Sequence, residues 1–183
     1  MKNKAYEISN YKFNAQENLL FDANIWLDIY GPQGNPTSHR AQVYSRALGN
    51  ALKAGCSLYM DVLILSEFVN RFARLEYGFL QSRGTAPRDF KSFRNTPDFV
   101  PIAEHIANNL RRILQNCKRT ESGFSTIHIQ NMLSEYKQGG QDVNDQILIA
   151  LCKAQGFIFV THDADFKDRG LTILSANRRL LNE

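Results

Sequence analysis

Cysteine is scarce in this sequence: Cys56, Cys117 and Cys152 are the only three in 183 residues, and they stand far apart. With no CxxC pair and an odd count, neither a zinc site nor a disulfide framework is indicated, and a reducing, cytoplasmic setting is the expectation. Long apolar runs are missing too. The longest are strand-sized, so no segment is expected to span a membrane. Residues 1–18 lack the apolar stretch of a secretory leader. His39, His105 and His128 show no ligand spacing, His162 beside Asp163 reads as a surface histidine in a turn rather than a contact to substrate or metal, and no Ser/His/Asp triad is recognisable. Internal repeats and low-complexity segments are absent as well.

What remains is ordinary globular composition, 43% apolar and 22% charged, in a length that suits one compact domain with a real core. The division expected is a polar extension over residues 1–18 and a single domain over 19–183. The formal charge is +4 and the pI about 9.0. Between Arg71 and Arg119 there are ten Lys/Arg against Glu76, Asp89, Asp98 and Glu104, a local excess of six. The rest of the chain therefore carries −2. A basic middle beside an acidic remainder suits an enzyme that holds metal with carboxylates and grips phosphates elsewhere, although clustered arginines on a solvated face give the same pattern.

Hydropathy patterning predicts strands alternating with helices. Leu19-Leu20-Phe21 is a buried strand with Asp22 at its end, and a helix starts near Ile25. Residues 31–36 break the chain. A helix over 38–54 is closed by Gly55, and a strand covers Ser57 to Leu63. Ser66 then caps a helix with Glu67 in its first turn and Phe68, Phe72 and Leu75 as its buried stripe. Residues 79–101 read as a basic, aromatic insertion or flexible arm. Helical spacing returns over 102–117. A third strand is expected at 124–129, a short helical piece at 132–136, and a helix at 143–155 closed by Gly156. Strands follow at 157–161 and 171–174. The class is α/β with a central, mainly parallel sheet of four to five strands.

In such sheets ligands bind at the carboxyl ends of the strands. Asp22, Glu67 and Asp163 follow three different strands, Asp165 lies two residues further on, and Asp145 opens its own helix. Each acid alone reads as well as a helix cap or a turn residue. Together they land on one face, where like charges repel and a divalent cation of the magnesium or manganese kind relieves the cost.

Four segments resemble the PIN-domain family. They are Leu19-Leu20-Phe21-Asp22-Ala23-Asn24-Ile25-Trp26, Leu65-Ser66-Glu67-Phe68, the helix headed by Asp145 and ending near Gly156, and Phe159-Val160-Thr161-His162-Asp163-Ala164-Asp165-Phe166. The resemblance runs from about Leu19 to Leu174 and implies a three-layer α/β/α domain. It also implies a metal-dependent ribonuclease, a toxin like VapC or a related RNA-processing nuclease, with Mg²⁺ or Mn²⁺ held by Asp22, Glu67, Asp145 and Asp163. Asp165 would assist, and Asn24 and Thr161 would orient ligands. Further implied partners are single-stranded or structured RNA, a cognate antitoxin and a second copy of the chain. The chain departs from the compact toxins in its length across residues 79–120. RNA contacts are expected at Arg83, Arg88, Lys91, Arg94, Arg111 and Arg112, with nearby phenylalanines free to stack on bases. The same aromatics would serve equally to pack on a second subunit or an inhibitor. Two rivals remain: a catalytically silent binding module on the same fold, and a magnesium-dependent phosphatase of the haloacid-dehalogenase type. The second needs an acid where Asn24 stands.

Overall fold

The computed structural model describes residues 2–32, 37–139 and 142–181; part of the expected breaker, residues 33–36, lies outside them. Strands β1 (Lys4–Glu7), β2 (Asn18–Phe21), β3 (Ser57–Met60), β4 (Cys117–Arg119), β5 (Ile158–Val160) and β6 (Thr172–Ser175) form one sheet. Its order is β1-β6-β5-β2-β3-β4, and every pairing is parallel. Between them run α1 (Ala23–Tyr30), α2 (His39–Lys53), α3 (Val62–Ser82), α4 (Phe90–Phe93), α5 (Phe99–Leu114), α6 (Ile129–Lys137) and α7 (Val143–Gln155), with α8 (Arg178–Leu181) after the last strand.

From β2 the chain winds outward through β3 to β4, then returns to lay β5 on the other side of β2 and β6 beyond it. Right-handed crossovers therefore place the helices before β4 on one face of the sheet and those after it on the other, a three-layer α/β/α arrangement. The winding reverses between β2 and β5. A crevice opens at the carboxyl ends of strands at such a reversal. Both strands are sheathed on their two faces, which is why Leu19, Leu20, Phe21, Phe159 and Val160 are fully buried and read as continuous apolar runs.

The sheet has six strands rather than four or five because its two edges are polar. β1 and β4 spell Lys-Ala-Tyr-Glu and Cys-Lys-Arg, and each is buried on one side at most. Charged residues are usual on an exposed sheet edge, and they erase the apolar pattern. The strand expected at 124–129 does not form. Phe124–Thr126 is a 3₁₀ turn with Phe124 exposed, and Ile129 already starts α6.

Two further boundaries move. The second strand stops at Met60, because Asp61 caps α3 by accepting from the Leu63 N–H at 2.8 Å. Ser66 and Glu67 consequently sit in the second helical turn, not at the cap and first turn. The expected flexible arm is helical. α3 continues to Ser82, Asp89 caps α4 through the Ser92 N–H, and α5 begins at Phe99. Phe93 is fully buried, with ring centroids 5.3 Å from Tyr77 and 5.7 Å from Phe99. Phe90 packs on Tyr77 beneath the Arg74 guanidinium, 4.8 Å from the ring. These rings are committed to a satellite core between α3, α4 and α5; of Phe79, Phe90, Phe93 and Phe99, Phe79 is the exposed one.

Truncating Phe93 to Ala is expected to destabilise the protein by about 3–5 kcal/mol in chemical denaturation, the usual cost of emptying a filled aromatic site. Phe79→Ala should stay within about 0.5 kcal/mol, as surface changes do. Equal small effects would mean that the segment is not packed as described.

Candidate active site

Asp22 is the first residue past β2 at the reversal point. Its N–H donates to the Val160 carbonyl at 2.9 Å and so extends the ladder to β5. That hydrogen bond turns the side chain into the crevice, where it is 4% exposed. Two donors converge on its Oδ2: the Thr161 hydroxyl at 2.6 Å and the Asn24 side-chain amide. Asn24 is fixed in turn, since its Oδ1 accepts from the His162 N–H at 3.2 Å. Thr161 Oγ1 also accepts from the Asp163 N–H at 3.1 Å. One hydroxyl thus ties the carboxylate after β2 to the turn after β5.

The remaining acids come from three other elements. Asp145 is in the first turn of α7, where its N–H donates to the capping carboxylate of Asp142 at 2.9 Å. Asp163 caps the 3₁₀ turn over Ala164–Phe166 by accepting from the Asp165 N–H, and both acids are exposed. Glu67, a turn and a half into α3, is half-buried and pairs with Arg71 at 2.9 Å.

These groups feel one another. Burial pushes the Asp22 carboxyl up to about 7, and the charges of Glu67 and Asp163 push the same way against the Thr161 hydrogen bond. Asp145 is likewise raised to about 7, first by burial, then by Asp142, Asp163, Glu67 and Asp165. Among the described residues no three His, Cys, Asp or Glu side chains are close enough to form a ready-made metal group. The acids meet at electrostatic range rather than at coordination distance. Their chemistry nonetheless fits a divalent cation: oxygen donors only, two of them short of compensating charge. A phosphatase would need an acid at position 24, whereas the Asn24 amide is spent holding Asp22.

The family model described as "PIN domain" matches residues 19–170. The chain belongs to the PIN-domain family. The PIN fold also appears in a structural likeness to a chain from the crystal structure of VapBC2 from Rickettsia felis bound to a DNA fragment from their promoter. The TM-score is 0.50 at 15% identity, covering 86% of this chain and 98% of that one. No curated protein sequence matches the chain. Among the described residues no helix is long and apolar enough to cross a membrane.

Several residues of this PIN domain escape a reading of the sequence. Asp61 ends β3 as Asp22 ends β2, and the register that pairs Leu20 with Tyr59 sets the two level. Asp61 is fully buried, its carboxyl is raised by burial, and its Oδ2 has no partner. An acid directly after a strand was the available signal, hidden by the strand being drawn through to Leu63. His162 is no plain surface histidine. Its Nδ1 lies 2.7 Å from the hydroxyl of buried Tyr44, which itself accepts from the Ala176 N–H, and its carbonyl accepts from Asn177. Asn3 fastens the turn after β5, donating to Phe166 O and accepting from the N–H groups of Arg169 and Leu171.

The basic residues scatter. Arg94 borders a groove of about 260 Å³ between α3, α4 and α5. Arg83 and Arg88 lie in the α3–α4 connection and Lys91 on α4, all exposed. Arg111 and Arg112 are in the last turn of α5, which hands over to the amino end of β4, the sheet edge away from Asp22.

A carboxyl raised from 3.8 to about 7 keeps its proton in the folded state over a range where the unfolded chain has lost it. Stability from that source is full below the unfolded value and lost as pH rises through the folded one. Metal-free protein should therefore melt at a lower temperature at pH 8 than at pH 5, and Asp22→Asn should flatten that slope. A pH-independent melting temperature, or identical slopes in the two proteins, would contradict the buried-charge account.

Proposed function

We propose that this PIN-domain protein is a Mg²⁺- or Mn²⁺-dependent endoribonuclease that hydrolyses RNA phosphodiester bonds in the cytoplasm, acting as a toxin restrained by a cognate antitoxin. The reading is supported by Asp22, buried at the reversal point of a parallel sheet with its Oδ2 held by Thr161 and Asn24, and by Glu67, Asp145 and Asp163, whose charges lie within electrostatic range of Asp22 or of one another. Support for an antitoxin comes from the VapBC2 neighbour, itself a complex bound to promoter DNA. A homodimer, which the resemblance to the family implies, is part of the same proposal.

Asp22, Glu67, Asp145 and Asp163 would hold the cation, with Asp165 assisting from the exposed turn. When bound, a divalent cation activates water for in-line attack on phosphorus and stabilises the leaving oxygen. This chain's own residues set the geometry. Thr161 and Asn24 hold Asp22 in one rotamer and favour its ionised form, opposing the burial that favours the proton. The Thr161 hydroxyl positions the Asp163 backbone against the same carboxylate. Arg83, Arg88, Lys91 and Arg94, exposed around α4, would supply charge for the phosphate backbone.

Purified protein should cleave a labelled single-stranded RNA with Mg²⁺ or Mn²⁺, and EDTA should stop it. Asp22→Asn and Glu67→Gln should reduce cutting to background while circular dichroism stays native. Thr161→Val should lower activity at neutral pH and shift the acid limb of the pH–rate profile upward, because Asp22 loses the donor that favours its ionised form. Full activity in Asp22→Asn, or cutting that ignores EDTA, would sink the mechanism. A folded protein that binds Mn²⁺ but cuts no RNA would favour the silent module.

A further inference from the structure

His162 stands between Thr161, which holds Asp22, and Asp163. It has four polar atoms, and three of them are fixed. Its N–H donates to Asn24 Oδ1 at 3.2 Å, its carbonyl accepts from the Asn177 amide at 2.7 Å, and its ring Nδ1 lies 2.7 Å from the Tyr44 hydroxyl. The fourth, Nε2, has no hydrogen-bond partner among the described residues. It is not sealed away either: their unpartnered atoms without accessible surface belong to Trp26, Asp61 and Gln146. The ring is half-buried, and this one nitrogen is left open to a ligand.

Tyr44 decides what Nε2 offers. The Tyr44 oxygen accepts from the Ala176 N–H at 3.1 Å, so its own hydrogen points to another acceptor. Nδ1 at 2.7 Å is nearer than the Thr161 carbonyl or the Ser175 hydroxyl, both at 3.5 Å. Nδ1 is therefore the acceptor, and the ring proton sits on Nε2. Arg40 lies one turn from Tyr44 on the same face of α2. Its Nε donates to Asp28 Oδ2 at 2.5 Å, which steadies the guanidinium while 43% of the side chain stays exposed. The charges of Arg40 and Asp28 reach both the Tyr44 and the His162 rings, and that of Asp163 reaches His162. A fixed N–H and a held guanidinium match the oxygens of a phosphodiester. Asp28 and Asp163 cancel much of the positive charge, which suits a phosphate that is positioned here and gripped elsewhere along its strand.

We propose that His162 Nε2–H and Arg40 form a subsite for a backbone phosphate of the RNA strand, flanking the one that is cut, and that Tyr44 holds the imidazole in its donor tautomer. Two hydrogen bonds tie the subsite to the central carboxylate, His162 N–H to Asn24 and Asn24 to Asp22. It fixes where the strand lies along the acids and reads no base, because phosphate contacts set register without sequence. The inference rests on the ribonuclease reading, since it supplies that activity with a binding position for its substrate.

The test uses the full chain carrying Asp22→Asn as parent, so that RNA is bound and not cut, and follows the binding of labelled oligo(U). Adding His162→Ala should weaken binding about tenfold, the scale of one hydrogen bond to a charged group. His162→Gln, whose amide nitrogen reaches the place of Nε2, should restore most of it. His162→Asn, whose amide reaches only the place of Nδ1, should not. A merely structural role as the partner of Tyr44 predicts the opposite order. Arg40→Ala should lower the slope of log affinity against log salt by about 0.7, one phosphate contact on a single strand. An abasic strand of ribose phosphates should show the same losses, and nitrogen NMR should find the His162 proton on Nε2. No binding by the parent, equal affinity in parent and His162→Ala, rescue by Asn in place of Gln, or a ring proton on Nδ1 overturns the proposal. A native chain that cuts no RNA with Mg²⁺ or Mn²⁺, while binding keeps this dependence on His162, retains the subsite and removes the ribonuclease reading. Metal-dependent cutting by the native chain, with no loss of affinity in His162→Ala, does the reverse.

Discussion

A single buried carboxylate sets the terms for the rest of the molecule. Asp22 sits where the winding of a parallel sheet reverses, with hydrophobic strands behind it and other acids in front. Taken out of water without a counter-charge, such a group is expensive. The fold answers with a hydroxyl and an amide on one oxygen, supplied by residues one and three positions beyond strand ends. Because Thr161 serves both Asp22 and the Asp163 backbone, the two halves of the sheet are locked in relative height at the point where chemistry is proposed. Local strain in charge is concentrated where function needs it, as active sites commonly arrange.

The parts of the fold that were legible in the sequence are those buried on both sides. β2, β5 and β6 announce themselves as apolar runs, and α7 by its periodicity and Gly156 at φ 66°. The edges were not legible, because a half-solvated strand such as Cys-Lys-Arg carries no apolar period. Asp22 and Asp163 stand out by their position after such strands, and Asp145 by its place in the first turn of a helix. Asp61 was missed for the complementary reason: Val62 and Leu63 extend the apolar run past it, so a cap looked like strand interior. Tyr44 and Asn3 could not be assigned roles, since both act on residues more than a hundred positions away.

The segment between α3 and α5 is packed and not a loose arm. Its aromatics face inward and, with Tyr77 of α3, build a second small core. The acids lie apart from it, at strand ends and in the early turns of helices. On the far side of the sheet, α6, α7 and the turn at Asp168 and Arg169 line an open recess with polar and apolar side chains alike. The two helical layers thus differ in kind, one extending the core and the other bordering that recess.

The pairing of Lys4 with Thr172 has a consequence for how the chain comes into being. The first strand has no partner until nearly the whole described polypeptide exists, and Asn3 has no turn to fasten until residues 166–171 have emerged. Closing so large a loop is the slowest kind of contact a chain makes. The acid-bearing turn after β5 therefore gains its Asn3 anchor only once residues 166–171 are in place, and until then it is held from one side alone, through Thr161 and Asn24.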